Sequence, residues 1–214
     1  MIYVFLANGF EDMEALATRD VLLRGGVPVV TVSITDDYLV ESSHGLQVTA
    51  DTSWADLEVD EPGTSSEDVM IFPGGMPGSR NLAQHAELMD ILQDHWARGG
   101  AVAAICAAPG LVVSQLPGLS GRHFTCFDGF EDSLIAAGAV YEPVGTVTSP
   151  AGASTAGLSL AGASVAGASS GGSCSGGALI TGRGAGWAVD FGLAILSYLK
   201  GPEAAAKVRS GLML

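Results

Sequence analysis

Cysteine is scarce in this 214-residue chain, which has only Cys106, Cys126 and Cys174. An odd number of widely separated cysteines does not suit a disulfide framework, and the paired spacings that bind zinc are missing. We therefore expect a reducing compartment, the cytoplasm, and neither a metal site nor a cofactor built on these thiols.

Basic residues are also few, nine against 23 acidic ones, which gives a formal net charge of −14. A phosphate backbone would be repelled by such a surface, so no nucleic-acid partner is expected. The chain has no apolar run that reads as a membrane span, and the first one, residues 2–7, is short and follows no basic region, so neither a membrane span nor a secretory leader is expected. With 48% apolar residues, the chain has enough material for a globular core.

Short apolar runs alternate with amphipathic segments along most of the chain. On the first predicted helix, Met13, Leu16, Ala17 and Val21 are expected to form the buried face. Alternating strands and helices predict an α/β fold, with a mostly parallel sheet covered by helices on both faces. The predicted strands are 2–7, 27–34, 69–72, 101–105, 123–126 and 178–181, with an edge hairpin near 44–51 and helices near 11–24, 85–98, 130–137, 187–199 and 203–210.

One segment breaks this alternation. No charged residue occurs from Pro143 to Gly182, and Ala-Gly-Ala-Ser occurs there three times. We interpret about 144–177 as a low-complexity Gly/Ala/Ser insertion, a flexible surface segment, within a single domain spanning 1–214. Cys174 lies in it and is expected to be incidental. A lid or an adhesive segment is the alternative interpretation.

Cys106 is the strongest functional candidate. The run 101–105 before it predicts a buried strand, and Pro109 after it favours the first turn of a helix. A thiol at such a corner lies near the positive end of a helix dipole, so we expect a lowered pKa and a reactive sulfur. The alternative is a free cysteine that simply fills the core.

Two further motifs follow predicted strands, at the edge where open parallel sheets place their sites. Glu14 lies one turn past Glu11 at the start of the first helix, and is expected to face the same crevice as Cys106. Gly74 and Gly75 follow Pro73, and glycines let backbone N–H groups approach a ligand closely. Each has an ordinary alternative, because acids favour a helix start and Gly-Gly suits a plain turn.

These residues together suit covalent chemistry at a carbonyl carbon. Cys106 would be the nucleophile, Glu14 would handle protons, and backbone N–H groups of Gly74, Gly75 and Ala107 would bind substrate or an oxyanion. Because a thiolate and a carboxylate repel each other, we expect Glu14 to be protonated and to donate to the sulfur.

Four landmarks in this order resemble the ThiJ/PfpI superfamily, and within it the DJ-1 branch, over about 1–142 and 178–214. The resemblance implies a flavodoxin-like α/β sandwich, a homodimer, a reactive cysteine at Cys106 with its glutamate partner at Glu14, and backbone donors at Gly75 and Ala107. The landmarks are the sequences GFEDME at 9–14, PGG at 73–75, AAICAAP at 103–109 and TGRGAG at 181–186.

The resemblance also implies activities. One is a glutathione-independent glyoxalase or deglycase that acts on small aldehydes without a cofactor, as in the conversion of methylglyoxal to lactate. The alternative is an oxidative-stress sensor or redox-regulated chaperone in which Cys106 is oxidised without turnover. A third possibility is a binding role carried by the insertion. Peptidase activity is not expected, because PfpI-type peptidases carry a histidine where this chain has Ala107.

Four positions depart from the family pattern or lack an assigned role. Ala108 stands where relatives often have glycine, and Phe127 stands at a pocket position that is histidine in the animal proteins. His44 lies near the position of a pocket arginine, where it would either bind an anion or be an exposed loop side chain. Cys126 is expected near the pocket wall, with a disulfide to Cys106 as a hypothesis.

Overall fold

The protein is described here by a computed structural model that covers residues 1–57, 65–151, 157–160, 163–166 and 176–214. The strands are β1 (Ile2–Leu6), β2 (Val30–Ser33), β3 (Leu39–Glu41), β4 (Gln47–Thr49), β5 (Thr52–Ser53), β6 (Val69–Phe72), β7 (Ala101–Ile105), β8 (His123–Phe124), β9 (Val140–Tyr141), β10 (Thr146–Ser149), β11 (Gly157–Leu160), β12 (Ala163–Ala166) and β13 (Leu179–Gly182). The helices are α1 (Asp12–Arg24), α2 (Gly78–Gln84), α3 (Ala86–Ala97), α4 (Ala108–Leu111), α5 (Asp132–Ala136), α6 (Ala188–Lys200) and α7 (Pro202–Gly211).

The main sheet has the strand order β11-β12-β10-β13-β7-β6-β1-β2-β5. From β13 to β5 all neighbours are parallel, whereas β10 runs antiparallel to β13. Two small ladders, β3 with β4 and β8 with β9, lie outside this sheet. The mostly parallel α/β sheet is as predicted, and the hairpin β3–β4 overlaps the segment expected near 44–51.

Alternate side chains of the central strands pack into two hydrophobic clusters, one on each face of the sheet. On β1, Tyr3 and Phe5 join a cluster with α3, whereas Ile2 and Val4 join one with α1 and α6. β1, β6 and β7 are buried along their whole length, as expected for strands covered on both faces. The predicted flavodoxin-like sandwich is therefore confirmed.

The buried face of α1 differs from the prediction. Met13 and Leu16 are exposed by 57% and 39%, whereas Glu14, Thr18 and Val21 are buried. The apolar pattern alone placed the buried face of the helix about one position out of register, because the polar Glu14 occupies the inward face. The chain also forms α2, which has no equivalent among the predicted helices.

The segment expected as a flexible insertion differs in its described part. Thr146–Ser149 forms β10 in the main sheet, with Val147 fully buried, because its backbone pairs with β13. The buried guanidinium of Arg122 donates to the Pro150 carbonyl at 2.6 Å and to the Gly176 carbonyl at 3.0 Å. Cys174 and most of the Ala-Gly-Ala-Ser repeats lie outside the described residues, and the single interrupted domain remains a prediction.

No helix within the described ranges is long and apolar enough to cross a membrane.

Candidate active site

Cys106 lies in the corner between β7 and α4. Its backbone has φ of 65°, in the left-handed region that non-glycine residues rarely occupy, at a cost of roughly 1–3 kcal/mol. Two hydrogen bonds hold this residue: its N–H donates to the Gly182 carbonyl, and its carbonyl accepts from the Phe127 N–H, both at 2.9 Å. The strained conformation is thus fixed from β13 and from the loop after β8.

Glu14 brings a buried carboxyl group to this corner from the first turn of α1. Only 1% of the residue is exposed, and its side chain shares a hydrogen bond with Cys106. Oε2 accepts from the Gly74 N–H at 2.8 Å, whereas Oε1 has no hydrogen-bond partner among the described residues. The Gly74 N–H therefore orients the carboxyl group through Oε2.

Gly74 is required because no side chain fits at this point. A Cβ there would lie 2.4 Å from Glu14 Oε2, 2.5 Å from Cys106 Cβ and 3.0 Å from Sγ. The Gly74 N–H donates to Glu14 Oε2, and the expected part of Gly74 in substrate binding stays a prediction. The glycine allows thiol and carboxyl to meet across it.

The backbone N–H groups of Gly75 and Ala107 both point at the Cys106 side chain, and both lower its pKa. Gly75 has φ of 90°, and its backbone is packed against Glu11 and Gly9 so closely that a Cβ would lie 2.4 Å from the Glu11 nitrogen. The structure therefore brings Cys106, Glu14, Gly75 and Ala107 together at the predicted edge of the sheet. Two donors directed at the sulfur are placed to stabilise negative charge there or on an oxygen one bond further out.

The expected lowering of the Cys106 pKa is wrong. Burial, followed by the charge and hydrogen bond of Glu14, raises the pKa of the Cys106 thiol to about 12. The helix dipole does not compensate, because α4 has only four residues and no cation acts on the thiol among the described residues. Position at a strand-to-helix corner therefore does not by itself produce a thiolate.

Burial raises the pKa of Glu14 to about 7, against the opposing effects of its hydrogen bonds with Cys106 and Gly74. Above this value and below the pKa of Cys106, the pair holds one proton and one negative charge. A carboxylate next to a thiol in this state can accept the thiol proton as sulfur forms a bond to carbon. Glu14 also has the pKa that suits proton transfer near neutral pH.

The loop after β8 contacts the Cys106 corner, because its Phe127 N–H donates to the Cys106 carbonyl. Arg183 Nη2 contacts both carboxylate oxygens of Asp128, at 2.8 and 3.0 Å, and Nη1 donates to the Pro143 carbonyl at 3.0 Å. This pair holds the loop whose Phe127 N–H bonds Cys106. Arg183 belongs to the TGRGAG motif, so the sequence contained a signal for this residue. No sequence signal predicted Asp128 as its partner.

Cys126 lies in the same loop, next to Phe127, as a fully buried free thiol. The hypothesised disulfide with Cys106 is not formed, since both sulfurs are free. Burial raises the pKa of Cys126 to about 12, with Glu131 and Asp128 acting in the same direction and Arg183 against it.

His44 is an exposed loop side chain, and its Nδ1 lies 2.6 Å from Asp12 Oδ2. This hydrogen bond raises the pKa of His44. Ligand atoms of Glu11, Asp12 and His44 all lie within 4.8 Å of one another. Among the described residues, these three side chains are the one group whose ligand atoms lie close enough together to hold a metal ion. Asp12 and His44 already bind each other there.

Comparisons with known proteins agree with this arrangement. The sequence profile of the DJ-1/PfpI family matches residues 1–198. The chain is 31% identical over 212 residues to the Parkinson disease protein 7 homolog of Danio rerio, covering 99% of this chain and 95% of that protein. It is 26% identical over 193 residues to the glutathione-independent glyoxalase DJR-1.2 of Caenorhabditis elegans, covering 90% and 84%.

The solved structure of oxidized Toxoplasma gondii DJ-1 superposes with a TM-score of 0.76 at 27% identity, covering 99% of this chain and 97% of that one. The fold and site define a flavodoxin-like α/β protein with a cysteine and a glutamate at the carboxyl edge of its sheet. The chain belongs to the DJ-1/PfpI family.

Proposed function

We propose that the protein is a cysteine-dependent, cofactor-independent enzyme that converts small α-oxoaldehydes into 2-hydroxy acids. The observation that carries this proposal is the hydrogen-bonded pair of Cys106 and Glu14, in which burial raises the pKa of the glutamate to about 7. The likeness to a protein named as a glutathione-independent glyoxalase supports the same reaction class.

The reaction begins when the Cys106 sulfur adds to the aldehyde carbon. Glu14 accepts the thiol proton as the carbon–sulfur bond forms, and the oxygen that gains charge lies near the N–H groups of Gly75 and Ala107. Protonation of that oxygen gives a hemithioacetal. No metal or organic cofactor is needed for this step, because the carboxylate and the two donors supply the proton acceptor and the charge stabilisation.

Glu14 then moves a proton between two neighbouring carbons. It removes the hydrogen from the former aldehyde carbon to give an enediolate. The hydroxyl proton of that carbon passes to the neighbouring oxygen, and Glu14 returns its own proton to the adjacent carbon. The product is a thioester of the 2-hydroxy acid with Cys106. Water hydrolyses the thioester, so that the acid leaves and the thiol is restored. In the overall reaction, one oxoaldehyde and one water give one 2-hydroxy acid.

The test is lactate formation from methylglyoxal without glutathione. We expect the unmodified protein to form lactate and Cys106→Ser to form none, with the fold of the variant checked by circular dichroism. Cys126→Ala is the matched control, since it removes the neighbouring buried thiol, and should retain the activity. Absence of lactate from the folded, unmodified protein would contradict the proposal.

A second candidate function is oxidative sensing through Cys106. It is favoured by the partial exposure of this thiol and by the two N–H donors, which would bind the oxygens of a sulfinate. Peroxide treatment followed by peptide mass spectrometry should then find oxygen added to Cys106 and not to Cys126. Oxidation without any lactate formation would favour the sensor over the enzyme.

We also propose a homodimer in the cytoplasm. Met13 and Leu16 form an exposed apolar face on α1, beside the segment that carries Glu14, and association of two copies would cover it. The free thiols Cys106 and Cys126 suit a reducing compartment. Sedimentation of the unmodified protein and of Met13→Glu would test the dimer, because a charge in the interface should give monomers.

A further inference from the structure

The charges around the thiol are predominantly negative. Glu14 shares a hydrogen bond with Cys106, and Glu11 is close enough to raise the pKa of Glu14 by its charge. The Glu11 N–H donates to the Gly74 carbonyl at 2.9 Å, which anchors the acidic start of α1 to the glycines that contact the sulfur. The acidic start of α1 therefore lies against the glycines next to the sulfur.

Two carboxylates, those of Glu11 and Asp12, share one imidazole at this helix start, that of His44. Asp12 is paired with His44, but Glu11 has no ion pair among the residues that the structure describes, and its Oε2 accepts from the Glu14 N–H at 2.8 Å. In the loop after β8, both carboxylate oxygens of Asp128 bind Arg183. His44 and Arg183 are thus each paired with a carboxylate, and Glu11 adds a further negative charge.

We propose that Glu11 is a specificity-determining residue that makes the Cys106 site favour uncharged reagents over anionic ones. In the enzyme, this would select oxoaldehydes with a neutral remainder and reject those that carry a carboxylate or phosphate. The substrate statement rests on the proposed function, whereas the charge selectivity is a property of the thiol site itself. The physical basis is like-charge repulsion in a partly buried site, where solvent screens charges less than at the surface.

Alkylation of Cys106 tests the charge selectivity without any turnover. Iodoacetamide and iodoacetate have the same reacting carbon and leaving group and differ in charge. Peptide mass spectrometry gives the two rate constants for Cys106 alone. At low ionic strength, we expect the ratio of neutral to anionic rate to exceed that of 2-mercaptoethanol by roughly tenfold, and to fall as salt is added.

Glu11→Gln is the informative variant. Its side-chain oxygen can still accept from the Glu14 N–H, so the helix start is kept while the charge is removed. The rate ratio should fall several-fold toward that of 2-mercaptoethanol. Glu203→Gln is the matched control, because it changes net charge equally at the start of α7. Glu11→Ser, which also caps a helix start without carrying a charge, is a second variant for the case that Glu11→Gln does not fold.

Two results would overturn the proposal: an unmodified protein whose ratio equals that of 2-mercaptoethanol, or equal effects of Glu11→Gln and Glu203→Gln. Turnover is measured separately, with methylglyoxal and with an oxoaldehyde bearing a terminal carboxylate. If neither is converted while the alkylation ratio behaves as expected, the proposed function fails and the charge selectivity stands. If methylglyoxal is converted but the ratio is ordinary, the charge selectivity alone fails.

Discussion

Cys106 and Cys126 lie close to each other, because the residue after Cys126 donates its N–H to the Cys106 carbonyl. Burial raises the pKa of both thiols to about 12. They differ in their partners. Cys106 has a carboxyl group and two backbone N–H donors, whereas Cys126 has no hydrogen bond to its thiol among the described residues. A raised pKa therefore does not separate a structural thiol from a nucleophile. A proton acceptor in contact with the sulfur does, together with donors that stabilise the charge formed.

Replacing Glu14, the proton acceptor beside Cys106, should have the largest effect on the difference between the two thiols. We expect Glu14→Gln to lower the rate of lactate formation by about 10²–10⁴-fold, because the general acid–base group is lost. The same change should lower the pKa of the Cys106 thiol, because the carboxylate charge that raises it is gone. Titration of the thiol and assay of lactate, done on one preparation, measure both.

The pKa of Cys126 serves as the internal control, since Glu131 and Asp128 are the carboxylates that act on it. A lower pKa of the Cys106 thiol together with a lower rate of lactate formation would separate the acidity of the thiol from catalysis. If Glu14→Gln kept full activity, the carboxylate would have no role in proton transfer and the comparison of the two thiols would fail.

Separating thiol and carboxyl without removing either is the next test. In Gly74→Ala, the new methyl group would lie 2.4 Å from Glu14 Oε2 and 2.5 Å from Cys106 Cβ, so both groups must move. A displacement of about 1 Å in an active site costs about 10²-fold in rate. We therefore expect a loss of that order in kcat/KM.

Gly211→Ala is the matched control, because a Cβ there meets no atom within 4 Å. It should leave the rate unchanged and keep the fold, as judged by circular dichroism. Comparable rates for Gly74→Ala and Gly211→Ala would show that the close approach of thiol and carboxyl is not needed.

Much of the scaffold could be predicted from local sequence. Strands such as Ile2–Leu6 and Ala101–Ile105 are continuous apolar runs because both of their faces are buried. The rule that sites lie at the carboxyl ends of parallel strands then placed Cys106 and Glu14 together. Their roles in catalysis stay predictions, and the fold is what made their proximity predictable.

Properties that depend on long-range contacts could not be predicted. The direction of the Cys106 pKa depends on how deeply the thiol is buried and on how short α4 is, and neither can be read from the motif. Asp128 and Arg183 are 55 residues apart and meet only in the folded chain. Arg122 is fully buried against carbonyl groups of Pro150 and Gly176, a placement that no local pattern indicates for an arginine.

Burial of Glu14 should also appear in the pH dependence of stability. Its pKa rises from 4.5 to about 7 on folding, so the folded protein holds this proton more tightly than the unfolded chain. The stabilisation is fully present below about pH 4.5 and is lost as the pH rises through about 7. A shift of this size corresponds to about 3 kcal/mol in the free energy of unfolding.

Urea unfolding at pH 4.5 and pH 8 measures this effect. Relative to Glu14→Gln, which does not titrate, the unmodified protein should lose about 3 kcal/mol more stability across that interval. Cys126 does not contribute to this pH dependence of stability, because burial keeps its thiol protonated at both pH values. Equal losses in both proteins would mean that Glu14 titrates in the fold as it does in the unfolded chain.

The smallest expected effect concerns Cys126, the thiol that has no proton acceptor beside it among the described residues. Cys126→Ala removes a fully buried sulfur, and we expect the free energy of unfolding to fall by about 1 kcal/mol, since the cavity is small and no hydrogen bond is lost. The rate of lactate formation should stay within about twofold, because the adjacent Phe127 N–H still bonds the Cys106 carbonyl through the backbone. Urea unfolding and the lactate assay measure the two quantities. A large loss of activity at unchanged stability would give Cys126 a part in the chemistry, and would remove the distinction between the two thiols.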